Sequence, residues 1–303
     1  MDNISQIATE IGGIVSKMQV ILKASSFDEL SNKVEYYLTL NNESKVCLNN
    51  SIGKNISLEF SGLIKCIYCQ KKTNKSYNQG YCYLCATTLA RCDLCIMSPQ
   101  RCHYHLGTCR EPRWGESHCF IPHIVYLANS SGLKVGVSRS NNLLNRWIDQ
   151  GAIQGLPIIT TKSRYQSGII ESIFSKIISD KTNWRKMLSF MVKKIDLIHE
   201  REQLLNHCYQ DLQNVINKFP VGEIQILKDY DFKNIVEIQY PAYTELNNNL
   251  LDNINLTSLN SLIKSKTNFI ISDRLLAIKG QYLIFTSGVL NVRSLTGYEV
   301  IFK

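Results

Sequence analysis

Nine of the chain's eleven cysteines lie between residues 66 and 119. They open as Cys66-x2-Cys69, Cys82-x2-Cys85 and Cys92-x2-Cys95 and continue as Cys102, Cys109 and Cys119. Thiolates two residues apart fold over one tetrahedral Zn²⁺ as a knuckle, and two such pairs close a four-ligand site. The spacing therefore assigns Cys66, Cys69, Cys82 and Cys85 to one structural zinc. Cys92 and Cys95 begin a second site, with the remaining ligands drawn from Cys102, His103, His105, Cys109, Cys119 and His123. Cys102 with Cys109 is the first choice, and His105 or Cys119 in place of either is nearly as good. An open, catalytic zinc would want a carboxylate base nearby, and only Glu111 and Glu116 are close. The N-terminal MDNISQIATEIGG has neither the basic nor the apolar part of an export signal, so a reducing cytoplasm is expected, where thiols stay free for metal. Cys47 and Cys208 read as small core residues.

Charge is unevenly distributed. Residues 61–190 hold 17 Lys and Arg against 6 Asp and Glu, a surplus of +11, so the rest of the chain sums to −2 and the net +9 comes from the middle. Zinc knuckles interleaved with RWGE, NRWIDQ and TNWRK are suited to a polyanion, which makes nucleic acid, DNA or RNA, the expected partner. Arg110, Arg113 and Trp114 offer either a phosphate-and-stacking patch or a turn stapled to zinc. No apolar run approaches the ~20 residues that span a bilayer. No membrane partner and no small-molecule cofactor are expected.

These side chains must be positioned by four stretches. Residues 1–60 combine a helix-like segment at about 27–39 with strand-like runs at 46–48 and 56–60. The knuckles occupy 61–120. Residues 121–190 read as strand, strand, helix, helix. Residues 191–303 begin with a helical run to 219 and end in strands at 281–286 and 289–293. The class is α+β, and the N- and C-terminal strands are candidates for a small barrel-like unit.

Within 121–190, IVYL and LKVGVS flank a Ser-Ser-Gly turn, a hairpin signature. Asn141 or Asn142 can cap a helix carrying Arg146 and Trp147, and Ser167 can start another carrying Glu171 among isoleucines. The second helix is strongly apolar, so its carboxylate calls for an explanation.

In the order and spacing of these residues, about 121–185 resembles the GIY-YIG nuclease superfamily, a small sheet flanked by helices. Tyr126 matches the first motif's tyrosine, Gly136 the second motif's glycine, Arg146 the helix arginine, Glu171 the metal-binding glutamate and Asn183 the closing asparagine. Lys134 stands where the second motif has its tyrosine. The resemblance implies metal-assisted phosphodiester hydrolysis. Tyr126 would activate or orient water, with Lys134 or Arg139 lowering its pKa; Arg146 would steady the phosphate, and Glu171 would hold one Mg²⁺ or Mn²⁺. Over its full length the chain also resembles a family of bacterial and archaeal proteins defined as a domain of unknown function, through QGYCYLC, CDLCI, GTCREPRWG, VYLANSSGLKVGVSR, RWIDQGA, TNWR and IKGQYLIF.

Three readings follow: a zinc-containing nucleic-acid-binding phosphodiesterase, a noncatalytic zinc module of a processing, repair or modification complex, and a protein-interaction scaffold.

Overall fold

The computed structural model describes residues 10–24, 32–41, 43–189, 192–228, 235–243, 255–265 and 269–303. The fold is α+β, in two compact units: residues 1–22, 35–86 and 240–303, and residues 23–34 and 87–239.

In the first unit an antiparallel sheet runs in the order β1 (Ile11–Ile14), β14 (Tyr298–Phe302), β5 (Asn55–Ile64), β11 (Ile270–Lys279), β12 (Tyr282–Phe285), β13 (Val289–Asn291). Strands from the two ends of the chain thus join, Ile11 opposite Phe302. The sheet nevertheless stays open, which corrects the barrel-like expectation. Its edge strands, 4 and 3 residues long, do not pair with each other and offer little ladder for the staggered closure a barrel needs.

β2 (Gln19–Ala24) neighbours β3 (Asn32–Leu40), whose end forms a hairpin with β4 (Ser44–Cys47). β3 overturns the helix expected at about 27–39; residues 27–31 of that stretch lie outside those described. Val34, Tyr36 and Leu38 are buried while Lys33 is exposed and Glu35 and Tyr37 are intermediate, a period of two that suits a strand face. α1 (Tyr83–Thr88) begins just after Cys82 and carries Cys85 of the second cysteine pair.

The second unit is built on a sheet in the order β7 (Leu133–Arg139), β6 (His123–Asn129), β8 (Gln154–Thr161), β10 (Val236–Gln239), with β9 (Ile224–Ile226) also on β8. β10 pairs in parallel with Asn32 and Lys33. The β6–β7 hairpin forms as expected, with Tyr126 opposite Gly136. β8 was not anticipated: LPIITT is a short apolar run, and periodicity alone does not separate such a run from buried helix or coil.

α4 (Leu143–Asp149) carries Arg146, and α5 (Arg164–Phe174) carries Glu171. Asn142 occupies the N-cap of α4 but makes no side-chain cap bond. α5 begins ahead of Ser167: Ser163 and Gln166 form a reciprocal capping box, so the start is fixed one turn earlier. α6 (Trp184–Leu188), α7 (Leu197–His207) and α8 (Tyr209–Ile216) follow, the last two dividing the helical run expected after 191; residue 191 itself is outside those described. Val125, Leu127, Val135 and Val137 pack with Ile170, Ile173 and Phe174 of α5 and with Leu204 and Leu212, and Cys208 joins this core. Strand alternation sends Tyr126 to the other sheet face.

Candidate functional site

The thiols of Cys66, Cys69, Cys82 and Cys85 lie within 4.8 Å of one another. Cys69 Sγ and Cys82 Sγ are 3.8 Å apart, the edge of a tetrahedron whose corners stand about 2.3 Å from a central Zn²⁺. Local backbone explains the convergence. Cys66 closes a tight loop through Cys66 N to Lys71 O and Gln70 N to Cys66 O, with Gln70 at φ +60°. Asn78, Gln79 and Gly80 all have positive φ, reversing the chain just before Cys82. At Gly80 a Cβ would come within 2.8 Å of both Ile67 and Thr296, so glycine is required there by packing as well as by conformation. Burial raises Cys66, but the backbone N–H groups of Cys69, Cys82 and Tyr68 outweigh it and bring the thiol down to about 7. Cys85 is pushed up by burial and by the three neighbouring thiols. Four sulfurs so gathered suit a soft tetrahedral ion such as zinc.

The second cysteine group differs from the set Cys92, Cys95, Cys102 and Cys109. Those four are not brought within mutual ligand reach, and Cys92 sits in the 3-10 turn Ala90–Cys92 ahead of α2 (Leu94–Met97). Cys95, Cys102, Cys109 and Cys119 instead line one small cavity of about 20 Å³, Cys119 arriving at the end of α3 (Pro112–Cys119). Burial and the neighbouring Asp93, Cys102 and Cys119 push Cys95 up to about 12. His123 is fully buried, its Nδ1 2.7 Å from Ile121 O, and it does not line this cavity. Arg110 pairs with Asp93 at 2.7 Å and donates to the Leu89 carbonyl, as in a turn stapled to its neighbours. Trp114 stacks on His118 at 4.3 Å.

Around Glu171 the second unit assembles a different chemistry. Tyr126 is fully buried on β6, its hydroxyl donating to Gln150 Oε1 at 3.1 Å and its ring edge-on to Trp147. The ring lies across Gly136, where a Cβ would be 2.5 Å from the tyrosine oxygen; this close approach explains the glycine of the KVG run. Lys134, two residues earlier on the same face of β7, donates to Thr182 Oγ1 at 3.0 Å. Arg146, Lys134 and Arg164 all act on the Glu171 carboxylate, as does Asp180, and Tyr126 feels both Arg146 and Glu171. The structure thus brings Tyr126, Lys134, Arg146 and Glu171 together. Asn183 is committed elsewhere: its Oδ1 caps α6 by accepting from Lys186 N.

The electrostatics separate the roles. Burial raises Tyr126 more than Arg146 lowers it, so the activated phenol anticipated from sequence does not form at neutral pH. Burial, with Arg146 beside it, brings Lys134 down to about 8. Burial also raises Glu171, against the pull of Arg146 and Arg164. The Nε atoms of Arg146 and Arg164 are buried and, among the described residues, have no hydrogen-bond partner.

Arg164 escaped sequence reasoning because its helix was placed too far along the chain. Residues 164, 168 and 171 recur at i, i+4 and i+7 on one face of α5. Arg164 Nη2 donates to Ile96 O at 2.6 Å, and a Cβ at Gly168 would lie 2.5 Å from Pro99. The cysteine-rich segment therefore packs onto the helix that presents Glu171. A cleft of about 590 Å³ opens at the N-terminal end of the same helix, walled by Tyr104, Phe120, Tyr165 and Phe219 with Lys162 and Glu223.

A family model described as "Protein of unknown function (DUF2797)" matches residues 53–300. The chain belongs to this family. No curated protein and no solved structure matches it. The DUF2797 match takes in both the Cys66, Cys69, Cys82, Cys85 cluster and the residues gathered around Glu171. Among the described residues of this DUF2797 protein, no helix is long and apolar enough to cross a membrane.

Proposed function

We propose that this protein binds nucleic acid and hydrolyses a phosphodiester bond at the charged cluster of Tyr126, Lys134, Arg146, Arg164 and Glu171, and that it carries a zinc ion at Cys66, Cys69, Cys82 and Cys85. One observation carries the reading: two guanidinium groups and a lysine act on a single, largely buried carboxylate, and among the described residues the Nε atoms of both arginines have no hydrogen-bond partner. Three cations against one carboxylate leave a surplus of positive charge in a desolvated place, and a phosphate group would balance that charge through charge-assisted hydrogen bonds.

The residues divide the work. Arg146 and Arg164 grip non-bridging oxygens and stabilise the charge that grows on phosphorus during attack. Lys134 adds a point charge that is present below a pH of about 8. Tyr126 stays protonated, so it orients water or phosphate by hydrogen bonding and does not remove a proton. A single carboxylate with room for water and phosphate oxygens fits a hard divalent cation, and Glu171 would hold Mg²⁺ or Mn²⁺ there, supplying Lewis-acid polarisation of the phosphate. The aromatic walls of the neighbouring cleft suit an unstacked base. The likeness to GIY-YIG nucleases in the order of Tyr126, Gly136, Arg146 and Glu171 supports the same chemistry.

The test is incubation of labelled single-stranded, duplex and structured DNA and RNA with Mg²⁺, Mn²⁺ or EDTA. The wild type should cleave only with metal; Glu171→Ala should bind without cleaving. Binding by both proteins with no product under any condition would remove the enzyme and leave a noncatalytic module. Absence of binding at low salt would leave a scaffold, because phosphate contacts must appear as salt-dependent affinity.

A further inference from the structure

We propose that Cys95, Cys102, Cys109 and Cys119 form a second metal site, of the soft tetrahedral kind that takes Zn²⁺, and that Cys92 is not one of its ligands. The four side chains come from α2, from the residue after the 3-10 turn Pro99–Arg101, from the loop after Gly107, and from the end of α3. They nonetheless line one cavity of about 20 Å³, room for a single water-sized body. The path between them is built to turn inward. Gly107 ends the turn Tyr104–Leu106 in the left-handed conformation at φ +70°, and α3 packs beside Cys109 at Gly115, whose Cβ would make ordinary contact with the Cys109 sulfur at 3.5 Å. Tyr104 and Phe120, edge to face at 4.7 Å, also line the cavity.

A competing trio, Asp93, Cys95 and His103, has ligand atoms within 4.8 Å of one another. It is a poor cation site. Asp93 already holds Arg110 at 2.7 Å and caps α2 by accepting from Cys95 N, so its carboxylate is committed to other partners. His103 Nδ1 is 2.8 Å from Thr108 Oγ1, which leaves both ring nitrogens engaged. Four thiols around one cavity provide the complete donor set; the trio does not. The four thiols line one cavity but do not yet lie within 4.8 Å of one another, so binding an ion would draw them together.

The site also has a structural consequence. Ile96, Pro99 and Gln100, lying between Cys95 and Cys102, are the residues on which Arg164 and Gly168 of α5 rest. An ion held by Cys95 and Cys102 would fix that support.

The experiment is zinc content per chain of the full-length protein purified without chelator, for the wild type and for Cys92→Ser, Cys119→Ser and His103→Ala. Two ions are expected in the wild type, in Cys92→Ser and in His103→Ala, and one in Cys119→Ser. One ion in the wild type, or loss of an ion from Cys92→Ser or His103→Ala with two kept in Cys119→Ser, would overturn the assignment. Should Cys119→Ser fail to fold, Cys119→His supplies a replacement ligand. With Co²⁺ in place of zinc, its visible absorption should shift from that of the wild type as one sulfur is exchanged for nitrogen. An unchanged spectrum would exclude Cys119 as a ligand. None of these readouts depends on cleavage, so they stand apart from the proposed nuclease activity.

Discussion

In the first unit the thiols of Cys66, Cys69, Cys82 and Cys85 meet within twenty residues of chain, drawn together by turns that positive-φ residues make inevitable. In the second unit Tyr126, Lys134, Arg146, Arg164 and Glu171 meet only because β6, β7, α4 and α5 pack around them. The difference teaches that a cysteine knuckle is a local object and a buried charged cluster is a tertiary one. Local objects depend on ligand identity, and tertiary ones on every contact that aims a side chain.

That contrast fixes what each perturbation should do. Replacing Cys69 by Ser should release zinc worth on the order of 10 kcal/mol, comparable with the whole stability of a domain. The expected outcome is rapid amide exchange throughout 66–85, measured by mass spectrometry, with one ion fewer per chain. If residues 66–85 remained protected, the knuckle would not be a metal-dependent fold. Removal of either guanidinium, Arg146→Ala or Arg164→Ala, should lower the cleavage rate by about 10²-fold to 10³-fold, the usual scale for one donor to transition-state charge, while zinc content is unchanged. Equal rates for Arg164→Ala and wild type would return Arg164 to a purely structural role.

Gly136→Ala tests the packing around Tyr126. Its new Cβ would stand 2.5 Å from the Tyr126 oxygen, and the overpacking should cost about 1–3 kcal/mol in urea unfolding. An unchanged midpoint would mean that the ring moves freely, against its full burial.

The pH dependence gives a smaller effect. Lys134 is at about 8 in the folded protein against an ordinary value of 10.5, so its charge is lost as pH rises through about 8. Oligonucleotide affinity should fall across that point, by up to about tenfold for loss of one charge-assisted contact worth about 1.4 kcal/mol. Stability should move the other way between about 8 and 10.5, because there the unfolded chain binds a proton that the folded site has given up. In Lys134→Arg the affinity step should disappear, since a guanidinium stays charged. Ser163→Ala, which removes the capping box of α5, should cost about 1 kcal/mol by thermal unfolding and leave zinc untouched.

Much of the first site was legible in the sequence because CxxC spacing dictates geometry over a few residues. The β6–β7 hairpin was legible too, from its alternation and its Ser-Ser-Gly turn. The second cysteine group was not resolved by spacing: five cysteines and three histidines offered too many combinations, and the path of α3 brings Cys119 to the cavity. Arg164 was missed because Ser167 looked like a helix start, whereas the reciprocal bonds of Ser163 and Gln166 place it earlier. β3 was misread because Glu35 and Leu38 favour helix locally, and only burial of alternate residues reveals the strand.

The sequence by itself determined the four-cysteine cluster that could hold a metal ion, the basic middle of the chain and the order of the hairpin and helix residues, since these depend on neighbours along the backbone. Tertiary structure decided which cysteines share a cavity, that Tyr126 keeps its proton, and that Arg164 stands beside Glu171. Those outcomes turn on desolvation and on charges brought close by packing, and both depend on distance through space.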